Sequence, residues 1–242
     1  MILRSLLVYA LVGAAALSAG PLPSEFEAAL KTFRADGAKG WAFTQATTAR
    51  QDSLIERFDP SKPEFLRWAL VQKNRRPPTE KETREYQEKH TRRSSNDTAP
   101  DVTKQLDLST AERVSDDPEH AVYRFRLKSG GKDDTSAQHM TALFTFHKPT
   151  GTIEQIELGT TEPFSPMMAV KIQEARTTIF YTLPTADRPT LLDHIAVRVR
   201  GRAMFVRSLD EDMTVVYSDY TYAGKKPAKP AAPGPTVPTA GQ

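Results

Sequence analysis

Residues 121–128 read Ala-Val-Tyr-Arg-Phe-Arg-Leu-Lys, and residues 139–147 read His-Met-Thr-Ala-Leu-Phe-Thr-Phe-His. In the first stretch Ala121, Tyr123, Phe125 and Leu127 alternate with Val122, Arg124, Arg126 and Lys128. In the second, Met140, Ala142, Phe144 and Phe146 alternate with His139, Thr141, Leu143, Thr145 and His147. A period of two sends successive side chains to opposite faces of an extended chain, so both stretches predict strands with one apolar face. Ser129-Gly130-Gly131 with Asp133-Asp134 separates them, and Pro149-Thr150-Gly151 follows. These are turn residues, and connections this short leave no room for a crossover helix. The strands therefore run antiparallel.

The pattern continues in both directions. Strand-like runs follow at 152–162, 167–183, 190–207 and 212–222, with Asp210-Glu211-Asp212 as the last turn. Upstream runs start at Trp41–Phe43, at Leu54–Phe58 and at Phe65–Gln72, where Leu66, Trp68 and Leu70 share a face. The total is about nine or ten strands. Met167–Leu183 and Thr214–Tyr222 lose clean alternation, which marks a bulge or a strand apolar on both faces.

Two helices interrupt the strands. Ser24-Glu25-Phe26-Glu27 reads as a capping box, and Phe26, Ala29, Leu30 and Phe33 then form one apolar stripe that Asp36-Gly37 ends. Thr79-Glu80-Lys81-Glu82 is a second capping box, opening a helix that runs to His90. Its charges pair at i,i+4 (Glu80–Arg84, Lys81–Glu85, Glu85–Lys89), and Tyr86 is nearly its only apolar residue. Such a helix is expected to face solvent, within an excursion spanning 75–110 that includes the polar loop Arg92–Asp101. The fold class expected is mainly β (α+β): a large curled antiparallel sheet or unclosed barrel packed on an N-terminal amphipathic helix.

Composition bounds the rest. The 242 residues include no cysteine, which excludes disulfides, thiolate metal sites, a cysteine nucleophile and a lipidated N-terminal cysteine. The net charge of +3 balances 33 basic against 30 acidic residues and calls for no polyanionic partner. Met1–Arg4 and the apolar Ser5–Leu17, followed by small residues, read as a cleaved export signal over 1–20, with Ala16 and Ser18 at the cleavage positions. Residues 225–242 (KKPAKPAAPGPTVPTAGQ) read as a disordered Pro/Ala-rich tail. One antiparallel domain at 21–224 lies between them, and the expected location is the periplasm.

Catalytic chemistry is not legible. None of the five histidines sits in a metal-ligand spacing, and no nucleophile elbow, zincin or phosphate-loop motif occurs. The acidic pairs Asp116-Asp117, Asp133-Asp134 and Asp210–Asp212 all fall in turns. No enzyme, cofactor or metal is expected. Arg124 and Arg126 share one strand face, as do Arg198 and Arg200. They are anion-binding candidates if the faces align, and ordinary solvated positions otherwise.

Ile55-Glu56-Arg57-Phe58-Asp59-Pro60, then Trp68-Ala69-Leu70, then Asn74-Arg75-Arg76-Pro77-Pro78-Thr79 resembles a pattern in uncharacterised exported proteobacterial proteins, with Asn74-Arg75 where those have glycine. The wider order of elements is similar to the LolA/LolB lipoprotein carrier and receptor family. That resemblance implies an unclosed barrel over helices with a hydrophobic cavity for acyl chains, and the missing cysteine points to the soluble LolA-like form. No family site residue is transferred.

Three functions follow as expectations. The first is a periplasmic binder of a lipid or acylated protein, with Trp41, Phe43, Leu66, Trp68, Tyr123, Phe125, Phe144 and Phe146 as cavity candidates that would otherwise be ordinary core. The second is an envelope scaffold that meets a protein partner through helix 79–90 or the C-terminal tail. The third is a hydrolase of unrecognised type, and an outer-membrane barrel ranks behind all three. A monomer without nucleic-acid partners is expected.

Overall fold

The two alternating stretches form neighbouring antiparallel strands, β5 (His120–Leu127) and β6 (Met140–His147), with Tyr123 opposite Phe144. The computed structural model describes residues 22–35, 39–50, 52–93, 102–129, 136–204 and 207–224. The signal at 1–20, the Asp36-Gly37 helix stop, most of the polar loop, the Gly130-Gly131 turn and the tail at 225–242 lie outside the described residues.

Around β5 and β6 lie β1 (Trp41–Ala49), β2 (Asp52–Phe58), β3 (Trp68–Lys73), β4 (Leu106–Asp116), β7 (Thr152–Thr160), β8 (Phe164–Met167), β9 (Val170–Thr182), β10 (Leu191–Ala203), β11 (Arg207–Ser208) and β12 (Glu211–Tyr222). They form one antiparallel sheet in the order β3-β2-β1-β12-β10-β9-β7-β6-β5-β4, with β8 on β9 and β11 on β10. The sheet stays open, because β3 and β4 are edges and do not pair with each other. The strand total exceeds the expected one because Met168-Ala169, with Ala169 at φ +66°, is a turn that splits off β8, and because the short β11 folds back on β10.

Helix α1 (Ser24–Thr32) buries its stripe as expected. Phe26 is fully buried, stacked on Tyr123 with centroids 4.1 Å apart and edge-on to Phe146 at 5.6 Å. Phe33 meets Tyr181 edge-on at 5.2 Å. Phe26, Ala29 and Leu30 close a core with Leu106, Tyr123, Phe125, Phe144, Phe146 and Ile156. The expected cap is not made. Pro23 holds the N-cap position, Ser24 is already helical, and the Glu27 amide donates to the Pro23 carbonyl at 3.0 Å.

Helix α2 (Glu80–Arg93) does realise its capping box. The Thr79 amide donates to Glu82 Oε2 at 2.9 Å, and the Glu82 amide donates to Thr79 Oγ1 at 3.3 Å. Arg76 grips the same carboxylate with two nitrogens at 2.9 Å each. Most of α2 is solvated, yet it is not undocked. Tyr86 is half-buried and reaches the sheet, and the helix lies against β3.

Two readings of the excursion need correction. The strand following it starts at Leu106, inside the expected 75–110 segment, and Leu106 is fully buried in the core. Alternation is hidden there because the β4–β5 register slips between Asp107 and Glu112, with Asp107 folding back to bond Ser109. Leu66 lies not on a strand but in a short 3-10 turn, Glu64–Leu66, ahead of β3.

Candidate functional site

The inner face of the sheet, the side that carries α1, can be traced through directly opposed residues. Leu54, Thr47, Val215, Ile195, Ile179, Ile156, Phe144 and Tyr123 form one row from β2 to β5. Seven of these eight side chains are apolar or aromatic, with only Thr47 polar. Coverage is uneven along the row. Tyr123, Phe144 and Ile156 are at most 4% exposed beneath α1, whereas Ile179, Ile195, Thr47 and Leu54 are only half-buried. The close helix–sheet packing lies at β7 for α1 and at β3 for α2. A half-covered apolar trough therefore runs over β9, β10 and β1 between the two helices, with Val215 of β12 buried within it at 7% exposure.

At the C-terminal end of α1 the inner face opens into a cavity of about 330 Å³. Ala29, Phe33, Ile153, Pro184 and Pro189 supply apolar walls, and Arg34 lies at its lining. This volume falls at the small end of the roughly 300–1,000 Å³ typical of ligand sites.

At the far end of the trough stands an aromatic cluster. The Phe43 ring lies 5.1 Å from Phe58, 5.7 Å from Trp68, 5.5 Å from Tyr217 and 5.7 Å from Tyr220. Tyr217 and Tyr220 reach the same ring because β12 bulges opposite Ala42–Thr44, with Asp219 in the left-handed region at φ +53°. That bulge explains the lost alternation of 214–222.

Among these rings sits a carboxylate, Glu56, only 7% exposed. Its Oε1 accepts the Tyr86 hydroxyl at 2.7 Å, and its Oε2 accepts Gln45 Nε2 at 3.1 Å. A buried acid needs such donors to remain tolerable. Burial, reinforced by Glu56, pushes the Tyr217 phenol up to about 12 and holds the Tyr86 phenol above the ordinary range. Burial does the same at Tyr220.

The cavity candidates thus divide. Tyr123, Phe125, Phe144 and Phe146 are sealed under α1 and serve as core, not as an open wall. Phe43 and Trp68 belong to the aromatic cluster, and Trp41 packs on Tyr222 at 5.4 Å. Leu66, at 43% exposure beside the more exposed Phe65, lines no interior surface. Sequence reasoning missed Glu56, although its parity with Leu54 and Phe58 places it on the apolar phase of β2. It also missed Ile179 and Ile195.

The two arginine faces do align. On the outer face Arg126, Thr141, Gly159, Arg176 and Arg198 form one row across β5, β6, β7, β9 and β10. Carboxylates neutralise it. Arg124 pairs with Glu112 at 3.1 Å, Arg176 with Glu157 at 3.0 Å, and both Arg198 and Arg200 with Asp212, at 3.4 and 2.7 Å. Asp107 stands opposite Arg126. The row is a charge-laced solvent face, not a positive stripe.

Other polar clusters are structural. Asp117 accepts the amides of His120 and Glu119 at 2.7 and 2.8 Å, which holds its carboxyl below the ordinary range and shapes the β4–β5 turn. His120 and His147 stand opposite each other with rings 5.3 Å apart, and His120 Nε2 lies 3.0 Å from Glu154. Among the described residues no group of three or more His, Asp or Glu side chains could hold a metal ion. No helix among them is long and apolar enough to cross a membrane.

No protein-family profile and no curated protein sequence matches the chain. Among solved structures it is similar in architecture to a Vibrio parahaemolyticus domain provisionally described as an outer membrane lipoprotein-sorting protein, at 8% identity and a TM-score of 0.35, over 82% of this chain and 91% of that one.

Proposed function

We propose that the chain is a periplasmic carrier that binds acyl chains of a lipid or acylated protein along its inner face, without catalysing a reaction. The observation that carries this reading is the apolar row from Leu54 to Tyr123, sealed under α1 and only half covered at Ile179 of β9, Ile195 of β10 and Thr47 of β1. Burying such a surface against hydrocarbon contributes about 25 cal/mol per Å². The cavity beside Phe33 and Ile153 offers a second apolar compartment adjoining the α1-covered core. Export, read from the apolar stretch Ser5–Leu17, is consistent with a periplasmic role.

The test is native mass spectrometry of protein purified from its expression host, joined to titration with a fluorescent fatty acid. The reading expects co-purified lipid masses and saturable binding that unlabelled fatty acid displaces. Protein recovered repeatedly without lipid, together with no saturable binding, overturns it.

A further inference from the structure

Large exposed apolar side chains gather at one end of the sheet. The Met168-Ala169 turn between β8 and β9 leaves Met167 65% and Met168 97% exposed. Met204, just past β10, is 73% exposed, and its amide donates to the Ala169 carbonyl at 2.7 Å. Two hairpin ends are thereby joined into one tip with three solvent-facing methionines. Methionine is flexible and polarizable, which suits it to irregular apolar partners. Contiguous exposed apolar surface marks an interaction site.

Charge at the same tip is arranged unusually. Lys171 and Arg202 are directly opposed across β9 and β10, and with Met167 and Met168 they line a hollow of about 600 Å³. Like charges face to face weaken a strand pair. Among the described residues neither of them, nor Arg207 on the adjoining β11, has a carboxylate partner, in contrast to the paired Arg124, Arg176, Arg198 and Arg200 of the outer face. Register places Arg207 opposite Ala203, on the other face from Arg202, so the tip combines an apolar apex with one unneutralised basic pair, Lys171 and Arg202.

We propose that this tip docks on a bilayer surface rich in anionic headgroups. Met167, Met168 and Met204 enter the boundary between headgroups and acyl chains, while Lys171 and Arg202 hold lipid phosphates. The charge complementarity selects the bilayer, and apolar side chains standing on turns can enter a fluid surface that need not be shaped to fit them. The inference is independent of whether the trough holds an acyl chain.

The absence of cysteine allows a single Met168→Cys to carry an environment-sensitive fluorophore. With phosphatidylglycerol–phosphatidylethanolamine vesicles the label is expected to shift to the blue and the protein to co-sediment. Both effects should weaken as salt rises and be absent with phosphatidylcholine vesicles. Lys171→Glu with Arg202→Glu should weaken vesicle binding about tenfold or more. In the unlabelled chain, Met167→Asp with Met168→Asp should abolish co-sedimentation while circular dichroism stays unchanged. No blue shift with anionic vesicles overturns the proposal. So does binding that these substitutions leave unaltered, or a label that is buried only when an acidic protein is added.

Discussion

The hydroxyl of Tyr86 and the carboxylate of Glu56, 30 positions apart in sequence, meet at 2.7 Å and tie α2 to the inner face of the sheet. The helix has little else apolar to offer, so this polar contact, the cap at its start and the Lys73–Glu82 ion pair at 3.2 Å to β3 all help to place it. Tyr86→Phe keeps the ring and removes the donor, at a cost of about 1–3 kcal/mol for leaving a buried acceptor without that partner. Hydrogen exchange should show α2 amides losing protection while those of β5 and β6 keep theirs. Unchanged α2 exchange would show that the contact does not hold the helix.

The cap itself makes α2 sensitive to acid. Hydrogen bonds from Arg76, then from the Thr79 amide, hold the Glu82 carboxyl far below its ordinary 4.5. A depressed folded-state value means that the contribution is complete above the ordinary pKa and fades as pH falls through the lower, folded one. Protection of the first turn of α2 should therefore persist at pH 5 to 7 and decline progressively as pH falls below 4.5. Glu82→Gln should expose that turn at neutral pH, and an equally protected variant would contradict this account.

At the other helix the contact is apolar. Phe26 is 0% exposed and stacked on Tyr123. Phe26→Ala should destabilise by about 3–5 kcal/mol, the usual cost of deleting a buried phenylalanine. Urea denaturation measures it, and a cost below about 1 kcal/mol would mean that α1 is not part of the main cooperative unit.

Gly201 marks the β9–β10 register slip. A Cβ placed there would lie 2.7 Å from the Lys171 carbonyl oxygen. Gly201→Ala should lower stability by about 1–3 kcal/mol through forced backbone displacement. Thermal denaturation decides, and a neutral substitution would show that the slip relaxes freely.

Within the trough, Ile195 lies in the apolar row but is only half-buried. Ile195→Asn should leave the fold intact and weaken fatty-acid binding about tenfold, the scale of losing one apolar contact from a hydrophobic site. Phe180→Asn, on the opposite face of β9, serves as the control. Equal effects from both would argue against the inner face as the binding surface.

The sheet was legible because Tyr123/Phe125 and Phe144/Phe146 alternate without interruption, and an uninterrupted period of two has one structural meaning. Legibility failed where backbone irregularity broke the count. Asp219 in the left-handed region brings Tyr217 and Tyr220 to one side, and the Asp107–Ser109 fold-back hides the start of β4. The candidate surface was harder still. Alternation tells which side of a strand is apolar, but not that α1 seals Phe144 while leaving Ile195 half open. Nor does it tell that Arg198 faces Asp212, a cross-strand pairing set by register. Glu56 was a signal overlooked, being a charged residue on an apolar phase.

The two edges, β3 and β4, share no ladder of backbone hydrogen bonds. A closed barrel fixes its girth through strand number and stagger, and must rupture paired strands to enlarge. This sheet meets no such constraint. Its curvature can relax by small changes of twist distributed over many strand pairs, so the trough can gape or narrow with every hydrogen bond intact. If the inner face holds acyl chains as proposed, its capacity is an elastic property of the whole sheet, and chains of different girth are met by flexing instead of unfolding.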